Sequence, residues 1–460
     1  MKLNFLSLSN KWLIVRPILV VVLSLFHLGY SSWGRETLPA DAIVYLCVLG
    51  FAYFMLSFFS SSVGLAIMCI SMLFSPEFAV GSIGLRDISI RIEDILILIL
   101  LLSWGARMAI QRNASDALKS PLNRPILFLF IVIFWSTIQG YIWGWVPLFS
   151  GFFYVAKTIE FFLIFYLVLS YVRTEHQIKW FLFFALLAVA LLGLYTLPQV
   201  ATTKMFTGNR ITAPFEGGPQ PSTAGGYMAF FLVILISLLI YEDKIYRKWL
   251  LAGLTILIFI PFLFTFSRSA YLAFIGGMIV LSLVSKLKWL KLLLLFTLLL
   301  SPILLPSSVK ERIAFTWEDA KNPDRTMGVD FSFQERIRSF GRSWEALKIN
   351  PLIGLGVASW VYPDNQYSRT LHEVGILGGV FWLWIFLRLY KIGTWLYNDI
   401  EGGLLKGFSL GYSAGIICIL LHGAGACTLY IVRIMEPFWF VSGLIVSLYI
   451  IRVQALSNAN

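Results

Sequence analysis

Apolar runs long enough to cross a membrane follow one another along most of this 460-residue chain. A helix needs roughly 20 apolar residues to span the hydrocarbon core of a bilayer. The sequence therefore predicts an all-α polytopic membrane protein with about 14 transmembrane helices, or about 12 to 14 if two weaker runs are discounted. The predicted spans are residues 12–31, 40–59, 62–80, 92–109, 125–144, 150–172, 178–197, 223–241, 248–266, 269–285, 289–305, 374–391, 405–428 and 435–453.

The composition agrees with this prediction, because charged residues make up only 13% of the chain, against about 25% in a typical soluble domain. The formal net charge is +12. Basic residues gather in the cytoplasmic loops of membrane proteins, so this excess indicates a membrane protein and no nucleic-acid partner. The four cysteines lie in or beside apolar runs, and we expect them to pack as small hydrophobic residues.

Basic residues are concentrated in the loops that follow even-numbered spans. Examples are the stretch 107–124 after the fourth span and the stretch 244–248 after the eighth. The positive-inside rule makes these loops cytoplasmic, which predicts that both termini are cytoplasmic and that the loops after odd-numbered spans lie outside. No cleavage site follows the first apolar run, so we expect it to be an uncleaved first span.

One long hydrophilic stretch, residues 306–372, interrupts the series of spans. It divides the chain into an N-terminal bundle of about 11 spans (1–305), a large outer loop (306–372) and C-terminal transmembrane helices (373–460). Loops of this length are uncommon in compact domains unless they are functional or disordered. We therefore expect this loop to be folded and to carry part of the chemistry.

The strongest sign of folding in this loop is an amphipathic pattern between residues 331 and 349. An Asn-Pro pair at 350–351 ends the pattern, and glycines follow it. The pattern predicts one helix that lies against the membrane or against the bundle. Its apolar residues at helical spacing are Phe333, Ile337, Phe340, Trp344 and Leu347.

Arginines on the outer side need an explanation, because the positive-inside rule disfavours them there. Arg268 is the sharpest case, since it lies between two apolar spans with hardly any loop. A guanidinium group in that position must face a polar cavity or the lipid headgroups. Arginine grips phosphate with a planar pair of donors, so we expect the outer arginines to hold a lipid-borne phosphate. The alternative is that they extend into the headgroup region.

A reaction at this phosphate would also need a proton acceptor. The candidates on the outer side are Asp364, His372 and Glu373, which lie where the chain re-enters the membrane. The alternative for Glu373 and His372 is a role at a helix start, where an acidic group favours the helix dipole.

Two charged residues inside the sixth predicted span, Lys157 and Glu160, are three positions apart and can pair on one helix face. Charges within a span indicate function by default, but a structural pair is an equal alternative. His422 lies among small residues and is expected to be a packing residue. The chain has no P-loop, CxxC pair or HExxH motif, so no metal and no cofactor are predicted.

Four segments, taken in order, resemble the O-antigen ligase and Wzy-type polymerase superfamily. Residues 210–215 (Arg-Ile-Thr-Ala-Pro-Phe) are similar to the family's Arg-x-x-Gly-x-Phe segment, and residues 266–271 to its Ser-Arg-Ser-Gly segment. Residues 335–356 resemble its loop helix and N-P-x-x-G-x-G turn. Residues 364–378 resemble its H/D-N-x-Y…L-x-E-x-G-x-x-G pattern. The order and spacing of the four segments make the resemblance specific.

The resemblance implies a GT-C-like fold and metal-independent transfer of a glycan from undecaprenyl pyrophosphate at the periplasmic face of the bacterial inner membrane. Arg210 and Arg268 would hold the pyrophosphate, with Arg336 or Arg338 assisting. The acceptor would be a glycan or a lipid, and a chain-length regulator is a further expected partner. The ligases of the family have a histidine at the position of Asp364. The aspartate favours the polymerase or exopolysaccharide branch and leaves ligase against polymerase open.

Two other classes of function stay open at this stage. A transporter or flippase for lipid-linked sugars would need paired charges near the membrane centre and inverted repeats. The pair Lys157 and Glu160 hints at the first requirement, but no repeat is visible. A purely structural membrane protein would leave Arg268 and the loop motifs unexplained.

Overall fold

The computed structural model of the chain describes residues 40–83, 86–111, 119–203, 210–214, 220–318, 331–359 and 363–459. The predicted first span, 12–31, lies outside these residues. The described part is a bundle of helices with one two-stranded antiparallel hairpin. The helices are α1 (Ala40–Phe59), α2 (Ser61–Phe74), α3 (Ile92–Gln111), α4 (Asn123–Ile142), α5 (Leu148–Tyr171), α6 (Glu175–Thr196), α7 (Gln199–Thr202), α8 (Pro221–Tyr241), α9 (Ile245–Leu263), α10 (Arg268–Val284), α11 (Lys288–Leu304), α12 (Ser307–Glu318), α13 (Phe331–Ile349), α14 (Gln366–Asp399), α15 (Gly403–Gly423) and α16 (Val432–Ala459), with a short 3₁₀ helix at Thr428–Tyr430.

Within the described residues, eight helices are long and apolar enough to cross a membrane. This confirms a polytopic helical membrane protein, although the count is below the predicted 14. Length explains part of the difference. A helix of 14 residues such as α2 is only about 21 Å long, shorter than the roughly 30 Å hydrocarbon core. Helices α6 and α7 are counted as one span. The other seven are α4, α5, α8, α9, α14, α15 and α16.

The hairpin is the one exception to the predicted all-α architecture in the described part of the chain. The predicted span 62–80 is helical only to Phe74, and strand β1 (Glu77–Ile83) then pairs with strand β2 (Arg86–Arg91). Polar and apolar residues alternate along β2, which is the period of a strand rather than of a helix. The hairpin leads directly into α3.

Helix α13 has the bounds that the sequence predicts, from Phe331 to Ile349. On one face of the helix, the polar side chains of Gln334, Ser339 and Ser343 are buried against the protein. The apolar side chains of Ile337, Phe340 and Trp344 are exposed on the other face. Of the two predicted contacts of this face, the membrane fits these exposed apolar side chains better than the bundle does.

Helix α14 is longer than its predicted span, 374–391, and begins eight residues earlier, at Gln366. It is kinked at Gly375, whose φ of 64° and ψ of −164° are not helical. The kink divides α14 into a short first part, which includes the candidate residues His372 and Glu373, and a long apolar part. Because only glycine adopts this backbone conformation readily, the kink position is fixed by the sequence.

The tightly packed centre of the bundle is the pair α8 and α15. Glycines on α15 let the two backbones approach closely: a Cβ atom at Gly411 would lie 2.8 Å from the Cα atom of Ile234, and one at Gly407 would lie 2.8 Å from the carbonyl oxygen of Ser237. Small residues serve this purpose in membrane helices. The pair fixes the start of α8 beside the end of α15.

At each end of the bundle, contacts join segments that the sequence predicts to lie on the same side. At one end, the backbone N–H of Gln366 donates to the carbonyl oxygen of Ala426 at 3.1 Å. At the other end, Arg452 forms ion pairs with Asp399 at 2.9 Å and with Glu175 at 3.4 Å. The first end holds the loops that follow odd-numbered predicted spans. The assignment of this end to the outer face of the membrane stays a prediction.

Candidate active site

Two helices, α8 and α10, begin side by side at the end of the bundle that holds the odd-numbered loops. The hydroxyl oxygens of Ser222 and Ser269 lie 3.3 Å apart, and those of Ser267 and Ser269 lie 3.1 Å apart. The positive ends of both helix dipoles therefore meet at one place. Such an arrangement favours an anion.

The turn before α10 holds a strained residue. Phe266 has a φ of 53°, a left-handed conformation that is unusual for a bulky side chain, and its ring is buried. The next residue, Ser267, donates its backbone N–H to the hydroxyl oxygen of Thr265. This tight turn sets the direction in which Arg268, the first residue of α10, leaves the bundle. Arg268 is half-buried.

His422 on α15 contacts the start of α8. One ring nitrogen, Nδ1, lies 2.8 Å from the hydroxyl oxygen of Thr428, and the other, Nε2, lies 3.1 Å from the carbonyl oxygen of Ser222. The side chain is fully buried. Both ring nitrogens thus have partners, which agrees with the predicted packing role.

Arg336 reaches the same region from α13. Its Nη2 atom donates to the carbonyl oxygen of Gly425 at 3.0 Å. Gly425 packs on the start of α10, because a Cβ atom there would lie 2.6 Å from the Cβ atom of Ser269. The structure therefore brings the loop arginine to the helix start that carries Arg268.

Asp364 lies at the rim of this region. Its backbone N–H donates to the hydroxyl oxygen of Ser339 at 3.0 Å, and Ser339 is one helical turn beyond Arg336 on α13. The following residue, Asn365, caps α14 by accepting the N–H of Ser368 at 2.9 Å. Asp364 is exposed. We call Ser222, Arg268, Ser269, Arg336 and Asp364 the outer corner.

Two further arginines, Arg338 and Arg210, are predicted to bind the phosphate. Arg338 is exposed and bonded to Glu335 at 2.6 Å, and this hydrogen bond lowers the pKa of the Glu335 carboxyl. Arg210 is half-buried on the segment 210–214. That segment is tied to α7 by Gln199, whose side-chain oxygen accepts the N–H of Thr212 at 3.1 Å.

Glu373, the second candidate proton acceptor, is buried, with 1% of its surface exposed. Its Oε1 atom accepts from the Nε atom of Arg369 at 2.9 Å and from the backbone N–H of Ala358 at 3.2 Å. Its Oε2 atom accepts the hydroxyl proton of Tyr430. Burial and the neighbouring Glu373 charge raise the pKa of Tyr430, so that hydroxyl stays protonated as a donor.

The partner of Glu373, Arg369, is held between two aromatic rings. Its guanidinium carbon lies 3.5 Å from the ring centre of Tyr430 and 5.3 Å from that of Tyr154. Planar guanidinium groups are stabilised over aromatic faces. We call Arg369, Glu373, Tyr154 and Tyr430 the Glu373 anchor.

The N-P-x-x-G-x-G turn completes the kink of α14. The N–H of Leu355 donates to the carbonyl oxygen of His372 at 2.8 Å, and the N–H of Ile376 donates to that of Pro351 at 3.0 Å. The two backbones touch, since a Cβ atom at Gly375 would lie 2.6 Å from the nitrogen of Gly354. The turn thus supplies partners for backbone groups that the kink removes from the helix.

His372, the third candidate, is 2% exposed. Neither of its ring nitrogens is hydrogen-bonded to any residue that the structure describes. It directly precedes Glu373 in the chain and lies three residues before the kink at Gly375.

The sequence analysis does not identify Tyr154 and Tyr430 as site residues. Both lie in or beside apolar segments, where an aromatic residue carries no signal of a polar partner. It does not identify Ser222 either.

The model of the O-antigen ligase family matches residues 253–383 of the chain. No curated protein matches the chain significantly. The matched stretch contains Arg268, Arg336, Asp364 and Glu373, whereas Arg210 lies before it. Over these residues, which make up less than half of the chain, the sequence is similar to the O-antigen ligase family that its segments resemble.

Proposed function

We propose that this protein is a membrane glycosyltransferase that transfers or polymerises an undecaprenyl-pyrophosphate-linked oligosaccharide at the periplasmic face of the bacterial inner membrane. The family match supports an enzyme of the ligase or polymerase type. The observation that carries the proposal is the outer corner, where Arg336 from the long loop meets the helix start at Arg268.

The first step is to bind the pyrophosphate. In our proposal it lies at the start of α10, where the helix dipole and Arg268 both favour negative charge. Arg336 adds a second guanidinium group. We propose that Arg210 provides a third, on the basis of the sequence resemblance. As the bond between the sugar C1 atom and the phosphate oxygen breaks, negative charge grows on the leaving pyrophosphate. Fixed cations stabilise that charge without reorganisation.

The second step is to activate the acceptor. Its hydroxyl oxygen attacks C1, the C1–phosphate bond breaks, and the hydroxyl proton passes to a carboxylate. Among the three candidates, Asp364 fits this role best, because its side chain is exposed at the rim beside Arg336. Both oxygens of Glu373 already accept hydrogen bonds. We therefore propose that Glu373 holds the kink of α14 in position.

The proposed partners follow from the same chemistry. The lipid bilayer holds the polyprenyl chain of the donor, and a growing glycan or a lipid provides the acceptor hydroxyl. A GT-C-like fold, independence from metal and a chain-length regulator belong to the proposal through the family resemblance alone.

The test is an assay of the purified protein in detergent with lipid-linked oligosaccharide repeat units as the only substrate. Without a membrane there is no ion gradient, so transport has no meaning in this assay. We expect longer lipid-linked glycans to form over time. If the protein yields no elongated or transferred product with either a glycan or a lipid acceptor, the proposal fails.

A transporter for a lipid-linked sugar is the second candidate, and one observation favours it. Lys157 pairs with Glu160 at 3.0 Å inside α5, and charges within spans are typical of transporters. In sealed vesicles, a transporter would lose its activity when an ionophore removes the gradient. The enzyme would keep it.

A further inference from the structure

A second group of charges lies inside the bundle, apart from the outer corner. It joins the hairpin and the helices α3, α5 and α16. The buried charge cluster, as we call it, consists of four acids and three bases: Glu93, Asp94, Glu160, Glu436, Arg91, Lys157 and Arg433.

The bases of the buried charge cluster already have hydrogen-bond or ion-pair partners within the protein. Lys157 bonds to Asp94 and lies 3.0 Å from Glu160. Arg433 donates to the carbonyl oxygens of Leu73 and Ser75. Asp94 and Glu160 thus have Lys157 as a cationic partner. The carboxylates of Glu93 and Glu436 have no hydrogen-bond donor among the described residues.

Glu436 is the extreme case. Its side chain is 0% exposed, and neither carboxylate oxygen accepts a hydrogen bond from any described residue. Glu93 is also 0% exposed, and its nearest cation is Arg91 at 3.6 Å. A buried carboxylate without a donor is strongly unfavourable, so these groups must either take up a proton or share a bound cation.

The carboxylates are arranged to share such a charge. One oxygen from each of Glu93, Asp94 and Glu436 lies within 4.8 Å of the other two. An ion at about 2.4 Å from each oxygen can bridge this spacing, which is the bond length of Ca²⁺ and longer than that of Mg²⁺. A carboxylate oxygen has two lone pairs, so Asp94 can bind an ion while it keeps Lys157.

We propose that Glu93, Asp94 and Glu436 bind one hard cation of the size of Ca²⁺ through their carboxylate oxygens. All-oxygen ligands select hard cations over zinc and copper. The site is distinct from the outer corner, so the cation takes no part in the proposed glycan transfer.

The position of the cluster gives the cation a structural role. Lys157 lies one helical turn beyond Tyr154 on α5, and Glu436 follows Tyr430 after the start of α16. Both tyrosines hold Arg369. A cation that links α3 and α16 therefore stabilises the frame around the Glu373 anchor.

The test is calorimetric titration of the full-length protein in detergent with CaCl₂ after treatment with a chelator, together with its thermal unfolding. We expect one Ca²⁺ per chain and a higher unfolding temperature, with a much weaker effect of MgCl₂. In Glu436→Gln, Ca²⁺ affinity should fall by about a factor of ten or more, since losing even an outer partner of a metal costs that much.

The matched control is Glu345→Gln, which removes an exposed acid from α13 and should leave Ca²⁺ binding unchanged. If Glu436→Gln fails to accumulate, Glu93→Gln provides the same comparison. Absence of Ca²⁺ binding to the wild-type protein would overturn the proposal and would mean that the carboxylates share a proton. Equal loss of binding in Glu345→Gln would also overturn it. Neither result depends on glycan transfer.

Discussion

The outer corner and the Glu373 anchor lie at the same end of the bundle and both combine arginine with a carboxylate, but their charges are used differently. In the anchor, Arg369 and Glu373 are buried and bonded to each other at 2.9 Å. In the outer corner, Asp364 is exposed, and Arg268 and Arg336 are half-buried. Charges that are paired and buried hold structure, whereas charges with remaining access can meet a substrate.

This comparison predicts different consequences for the two regions, and the anchor should give the largest effect. In Glu373→Ala, Arg369 stays buried without its carboxylate, which costs about 3 to 5 kcal/mol of stability. We expect little folded protein in the membrane, measured as the amount recovered in mild detergent and its unfolding temperature. Glu373→Gln should lose less.

The double variant Arg369→Ala, Glu373→Ala sharpens this prediction. Because it removes both charges, it should be more stable than the sum of the two single losses implies. Strict additivity would contradict the view that the pair acts as one unit.

Variants in the outer corner should lose glycan-transfer activity but keep the stability of the protein. In Asp364→Asn, the proposed proton acceptor is lost at an exposed position. We expect the rate of glycan elongation to fall by about 10² to 10⁴-fold, with unchanged protein level, as measured by gel analysis of the products over time. Asp364→Glu should recover part of the rate. The control is Glu345→Gln, another exposed acid of the loop.

If Asp364→Asn keeps full activity while its protein level is normal, the proton acceptor is another group. His372 would then become the first candidate, because it lies in the first turns of α14, close to Asp364 along the chain, and its ring nitrogens have no bond to a described residue.

The smallest expected effect concerns the kink that joins the two regions. Gly375 has a positive φ, and a Cβ atom there would lie 2.6 Å from the backbone of Gly354 and Leu352. Gly375→Ala should destabilise the protein by about 1 to 3 kcal/mol, measured by thermal unfolding. Gly341→Ala is the matched control, since nothing lies within 4 Å of its added Cβ atom. An equal loss in both variants would show that the kink geometry is unimportant.

The sequence predicts those elements whose pattern is local. Helix α13 has its predicted bounds because apolar residues recur at helical spacing and Asn350 and Pro351 stop the helix. The hairpin is missed because Ala79 and Val80 extend the apolar run of α2. Helix α14 is predicted too short because its first turns are polar. The Asn365 cap and the contact with the glycine-rich turn stabilise their helical form.

The same distinction applies to the candidate site. Arg268 and Arg336 are candidates from the sequence because arginine on the predicted outer side of the spans is unusual, and Asp364 is one because it lies where the chain is predicted to re-enter the membrane. The partners of Glu373 cannot be identified in this way. Tyr430 lies 57 residues away along the chain, and Tyr154 lies on a helix that precedes the matched domain. Their convergence depends on the packing of distant helices.

The central claim is that Arg268 and Arg336 form the pyrophosphate site of an enzyme. The most direct measurement compares glycan products of purified Arg268→Ala, Arg336→Ala and the control Lys348→Ala, which removes an exposed cation of α13, at equal amounts of folded protein. We expect Arg268→Ala to lose about 10² to 10³-fold in rate, Arg336→Ala to lose less, and Lys348→Ala to match the wild type. Wild-type rates in both arginine variants would contradict the account.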